Sequence, residues 1–158
     1  MTVNARESWV SIDTLRVHYR DWGGADRPIV LVHGLATSSH IWDLVAPILS
    51  KSFAVLALDL RGHGESGKPE SGYDFATVTA DLHKFVTYME FPRPLIVGHS
   101  WGGTVITEAG NDPKVKALVY VAAFAPDAGE ASSDLLAGYP AAPAFSNIGP
   151  NKAGSLVM

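Results

Sequence analysis

Cysteine is absent from the 158 residues, which excludes disulfides, thiolate catalysis and Cys-ligated zinc. No run of basic residues occurs and the formal charge is −4. Nucleic acid, which requires clustered Lys and Arg to displace counterions, is therefore not an expected partner. Long apolar runs are missing too. The longest, residues 117–125, is far too short to cross a bilayer. The first ten residues contain Arg6 and Glu7 and no apolar stretch of the kind a secretory signal needs. The expectation is a cytoplasmic protein without membrane contact. What remains is an ordinary globular balance, 47% hydrophobic and 18% charged, in a chain long enough for one core-bearing domain.

Residues 9–12 and 15–19 alternate apolar and polar around Asp13-Thr14, the pattern of an antiparallel hairpin. Gly23-Gly24 then breaks the chain. Four continuous apolar runs follow, at residues 29–32, 53–58, 95–97 and 117–121, each composed like a strand buried on both faces. Helical spacing lies between them. Ser38 or Ser39 is placed to cap a helix through Ile41, Trp42, Leu44, Val45, Ile48 and Leu49, which Pro47 should kink or shorten. Residues 75–89 present Phe75, Val78, Leu82, Phe85, Val86 and Met89 on one helical face. Residues 102–109 form a third helical segment, stopped by Gly110-Asn111-Asp112-Pro113. This alternation predicts an α/β fold: a mainly parallel sheet, helices on both faces, and an N-terminal antiparallel hairpin. Residues 1–125 form the expected core domain. Residues 126–158, rich in Pro, Gly and Ala with one short helical stretch near 133–136, are expected to be a partial lid or a loosely ordered end.

The chemistry concentrates where strands end. Gly98-His99-Ser100-Trp101-Gly102 follows an apolar strand and opens a helix. That context turns a Gly-x-Ser-x-Gly match into a candidate nucleophile elbow, with Ser100 exposed above the sheet and facing helix-terminal amides. His33-Gly34-Leu35 follows the strand at 29–32, where an oxyanion hole needs a second backbone donor. The backbone amides of Leu35 and Trp101 are the natural pair. The His33 side chain reads as a structural group beneath that loop. Asp59-Leu60-Arg61-Gly62-His63-Gly64-Glu65-Ser66-Gly67 reads as a turn whose polar residues satisfy one another, rather than as an Asp59–His63 catalytic pair. It lacks the Gly-Lys-Ser/Thr ending of a phosphate loop.

With these residues in view, residues 28–130 resemble the α/β-hydrolase superfamily. The resemblance rests on His33-Gly34, the Asp59-x-Arg61-Gly62-His63-Gly64-x-Ser66 loop and the Gly98-His99-Ser100-Trp101-Gly102-Gly103 elbow, in that order. It is similar to the esterase, epoxide-hydrolase-like and dehalogenase-like branch. Within that branch an elbow aspartate implies epoxide-hydrolase or dehalogenase chemistry, whereas Ser100 implies acyl transfer on a small-molecule substrate. The resemblance implies a partial hydrolase core and neither a metal nor an organic cofactor.

One departure is plain. The family's triad runs serine, acid, histidine along the chain, yet the histidines here are His18, His33, His40, His63, His83 and His99, none after Ser100. Asp127 lies near one position where relatives place the acid, and it also reads as ordinary turn chemistry beside Pro126. His40 is a remote candidate for the base. Two readings stay open: a serine hydrolase with an incomplete triad, and a catalytically weak or inactive binding module on the same scaffold. Trp42, Trp101 and Phe124 form either an apolar acyl pocket or plain core. Residues 117–121, as an unfinished sheet edge, invite pairing with a second copy.

Overall fold

The computed structural model describes residues 4–127, 130, 134–136, 149–150 and 156–157. Its centre is a six-stranded mixed sheet in the order β1-β2-β4-β3-β5-β6. The antiparallel hairpin β1 (Arg6–Ile12) and β2 (Leu15–Gly23) turns at Asp13, whose φ is 51°. β2 then pairs antiparallel with β4 (Ala54–Leu58). From there β4, β3 (Pro28–Val32), β5 (Leu95–His99) and β6 (Ala117–Val121) run parallel. The expected α/β architecture, with its hairpin at one edge, is what folds.

Period-two alternation sorts the core onto two faces. Val30, Val32, Leu56, Leu58 and Ile96 point to one side, together with Val10, Ile12, Leu15 and Val17 of the hairpin. Helix α2 (Phe75–Tyr88) covers that side with Val78, Leu82, Phe85 and Val86, and α3 (Gly102–Ala109) with Val105 and Ile106. Each large apolar side chain buried there contributes about 1.5–3 kcal/mol of transfer free energy. Ile29, Leu31, Val55, Ala57 and Val97 point to the other side, where Trp22, Trp42 and Ala46 meet them. Asp74 caps α2 by accepting the Thr77 amide at 2.9 Å.

Two expectations need correction. The helix read through residues 41–49 is a short 3₁₀ turn, Ser39–Trp42, followed by one helical turn, α1 (Ala46–Leu49). Pro47 is the cause. It lacks an amide to donate backwards, so it fits the first turn of α1 and cannot sit deep in a longer helix. Strand β6 has the composition of a strand buried on both faces, yet Val119, Tyr120 and Val121 are 38–43% accessible, because among the described residues it forms the sheet edge expected for residues 117–121. The short helical stretch expected near 133–136 is a 3₁₀ turn at Asp134–Leu136. Gly149–Pro150 pairs antiparallel with Leu156–Val157 in a separate ladder. Most of the expected lid, residues 126–158, lies outside the described residues. No helix among the described residues is long and apolar enough to span a membrane.

Candidate active site

Ser100 occupies the turn between β5 and α3 with φ of 54°, the left-handed region that a residue with a side chain rarely adopts. The turn holds it there from both ends. Its carbonyl accepts the Gly103 amide at 3.0 Å and the Phe124 amide at 3.2 Å, and its own amide donates to Val121 at 3.4 Å. Close approach explains the flanking glycines. A Cβ on Gly98 would sit 2.6 Å from the Gly102 carbonyl oxygen, and one on Gly102 would sit 2.5 Å from that of His33. The strand-turn-helix is therefore wedged against the end of β3.

That wedge brings the two sequence motifs together. A Cβ built on Gly34 would lie 2.9 Å from the Ser100 Cβ and 3.3 Å from its Oγ, so the loop after β3 packs against the serine. Leu35 comes next, a residue 58% accessible. Neither the Leu35 nor the Trp101 amide donates a hydrogen bond among the described residues. Trp101 starts α3 and lays its ring edge-on to Phe75, centroids 6.2 Å apart.

His33 is fully buried beneath this loop. Its Nδ1–H donates to the Gly34 carbonyl at 2.6 Å, and its Nε2 accepts the Leu60 amide at 3.0 Å. Both ring nitrogens are thus used by backbone, which fixes the neutral tautomer. Burial pushes its pKa down to about 4, against a smaller upward pull from the Gly34 carbonyl. It is a structural strut, in line with the sequence reading.

The turn after β4 is a satisfied network, as expected, but its partner was not foreseen. Asp59 pairs with His18 of β2, not with His63. Its Oδ1 accepts the Ser39 amide at 2.6 Å, and its Oδ2 accepts the Glu65 amide at 2.9 Å and faces His18 Nδ1 at 2.8 Å. Burial raises the Asp59 pKa, yet these bonds outweigh it and hold the carboxyl below its ordinary range. The other face of His18 meets Glu7 at 2.7 Å. Ser66 completes the knot, donating to the Asp59 carbonyl and accepting the His18 amide. Arg61 leaves the turn to clasp Asp81 of α2 through two bonds of 2.7 and 3.0 Å.

Among the described residues, no base reaches the serine. His40 is engaged with Asp43 and Arg20, His63 with the Arg61 carbonyl, and His83 with Asp112. The Nδ1 of His99 is buried without a partner, its ring edge-on to Trp42. The Ser100 hydroxyl makes no hydrogen bond among the described residues. Asp127 is exposed in a local turn, its amide donating to Glu130. The three aromatics do not gather into one acyl pocket: Trp42 packs on one face of the sheet and Trp101 against the core of the other. Among the described residues, no group of three or more His, Asp or Glu is placed to hold a metal ion.

Residues 27–145 match the family described as alpha/beta hydrolase fold, and the chain belongs to that family. It is 39% identical over 94 residues to a soluble epoxide hydrolase of Corynebacterium sp. strain C12, covering 60% of this chain and 32% of the relative. It is 35% identical over 113 residues to a bifunctional esterase/perhydrolase of Acinetobacter calcoaceticus, covering 68% and 41%. The solved epoxide hydrolase CorEH superposes with a TM-score of 0.71 at 31% identity, over 80% of this chain and 46% of that one. The chain thus spans less than half the length of these relatives.

Proposed function

We propose that the chain carries the nucleophile half of a serine hydrolase that cleaves a carboxylic ester or a related acyl bond. The observation that supports it is Ser100 itself, held at φ of 54° on a glycine-wedged turn between β5 and α3. In this reading the Ser100 Oγ attacks the acyl carbon, and the Leu35 and Trp101 amides receive the developing oxyanion. The hydroxyl proton passes to the departing alkoxide, and water then releases the acid from the acyl-serine. The elbow residue also separates this chemistry from epoxide opening. A carboxylate attacking an epoxide leaves an ester that water can cleave, whereas a serine would leave an inert ether. Acyl substrates therefore suit Ser100 better.

The six histidines favour a second element of the proposal. None bonds Ser100, so the triad is incomplete within this chain and turnover is low. Loss of triad groups removes about six orders of magnitude, while oxyanion and binding effects retain about 10³–10⁴ over water. A scaffold that binds acyl compounds without turning them over is the competing reading. Fluorophosphonate labelling of the wild type and Ser100→Ala, alongside hydrolysis of a short-chain activated ester, separates the two. Slow labelling and weak hydrolysis, both lost in Ser100→Ala, are expected. Equal signals from the two proteins would overturn the catalytic reading. We further propose that the β6 edge pairs with a second copy of the chain.

A further inference from the structure

Three cations stand at the openings of three neighbouring parallel strands. Arg27 immediately precedes β3, Arg93 lies two residues before β5, and Lys116 immediately precedes β6. These strands are consecutive in the sheet, and register brings their starts level, Ile29 beside Leu95 and Leu95 beside Ala117. Both arginines are thus two residues upstream of one row, and the lysine is one. Neighbouring strands are about 4.8 Å apart, so the three residues share one rim. Backbone bonds pin that rim, the Ala54 amide to the Arg27 carbonyl at 2.8 Å and the Lys116 amide to that of Pro94 at 2.9 Å.

Arg27, Arg93 and Lys116 all line a cavity of about 280 Å³ whose walls include Phe53 and Leu95. None of the three forms an ion pair or side-chain hydrogen bond with any described residue. Asp26 lines the same cavity without pairing to them, which leaves two net positive charges. Arg93 is held at φ of 53°, a conformation that favours glycine. Arg16, Lys51 and Lys114 likewise face no carboxylate among the described residues, but none of them lines this cavity. Arg6, Arg20, Arg61 and Lys84 each face a carboxylate.

We propose that this cavity binds a small organic anion, an oxyanion head held by Arg27, Arg93 and Lys116 on an aromatic or aliphatic body packed against Phe53 and Leu95. Guanidinium forks match carboxylate and phosphate oxygens, and the cavity volume suits a ligand of roughly one ring. The site is separate from the candidate nucleophile. It sits at the N-terminal end of β5 and Ser100 beyond its C-terminal end, about 17 Å along a five-residue strand.

The test is a titration of the 158-residue chain with phenyl phosphate, inorganic phosphate and phenol, followed by calorimetry and by amide shifts at Phe53 and Leu95. Phenyl phosphate is expected to saturate and to bind more tightly than either fragment, weakening as salt rises. Arg93→Gly is the informative variant, because it removes the guanidinium while relieving the left-handed φ. It should weaken phenyl phosphate by about tenfold or more with no loss of thermal stability. Asp26→Asn should tighten binding, and Ser100→Ala should leave it unchanged. Unaltered binding in Arg93→Gly, no saturable binding, or shifts confined to the Ser100 end would each overturn the proposal.

Discussion

Ser100 and His33 stand on two turns packed against each other, after β5 and β3, and each is held in a state that costs free energy. The left-handed φ of Ser100 costs about 1–2 kcal/mol relative to an ordinary conformation, and the contacts around Gly98, Gly102 and Gly34 enforce it. His33 is kept neutral by burial, with a pKa of about 4 against 6.5 in its unperturbed state. The consequence for stability has a definite sign. Above pH 6.5 the ring is neutral whether the chain is folded or unfolded. Between about 6.5 and 4 only the unfolded chain takes up the proton, so stability falls as pH falls, by about 1.4 kcal/mol per unit. The total lost to this one ring is about 3 kcal/mol. Urea unfolding followed across that window should show this acid limb, and His33→Gln, which keeps an acceptor for the Leu60 amide, should flatten it. An equally steep limb in the variant would assign the pH dependence to other groups.

Three separate elements meet at Asp59, and a fourth is reached through His18, which makes the carboxylate a junction. It ties the turn after β4 to the 3₁₀ turn through the Ser39 amide and to the hairpin through His18, which in turn reaches Glu7 of β1. Asp59→Ala would strand the buried Ser39 amide, the part-buried Glu65 amide and the buried His18 imidazole, and should destabilise the chain by about 3 kcal/mol or more in denaturant titration. Asp59→Asn, which keeps acceptors for the amides, should cost clearly less. Equal, small losses would mean that water replaces the carboxylate readily. This junction was only half legible beforehand. The glycines and polar residues of 59–67 announce a self-satisfied turn, because such residues bond locally. Its tertiary partner is 41 positions away, and nothing in the alternation of β2 distinguishes His18 from a polar outward residue. Pro47 likewise announces a disruption, but not that one helical segment becomes two short turns. The elbow was fully legible, since strand, turn and helix are local in sequence and the glycines mark the close approach. That no histidine follows Ser100 in the 158 residues was legible as well, from the positions of the six histidines alone.

At the scale of the whole molecule, the two ends of the sheet differ in how they finish. The hairpin edge is capped by charge: Arg6 with Asp21, and Glu7 with Arg20 and His18. Such charged edges resist further pairing. The β6 edge has none of this. Among the described residues no strand lies beyond it, and its sequence Ala-Leu-Val-Tyr-Val is apolar throughout, with Val119 43% and Val121 42% accessible. An apolar edge with unpaired backbone groups is a template for another strand. In the proposed pairing a second copy supplies one by two-fold symmetry, antiparallel to the first, which would join the two sheets and cover both edges at once. Sedimentation velocity over a concentration series should therefore show self-association of the chain. Val119→Lys should shift it toward the monomer by placing a charge at the centre of the seam. The substitution leaves the β5–β6 ladder and the Ser100 turn intact, so fluorophosphonate labelling should persist in the variant. A wild-type chain that remains monomeric at every concentration, or a Val119→Lys chain that associates as readily, would remove β6 as the seam.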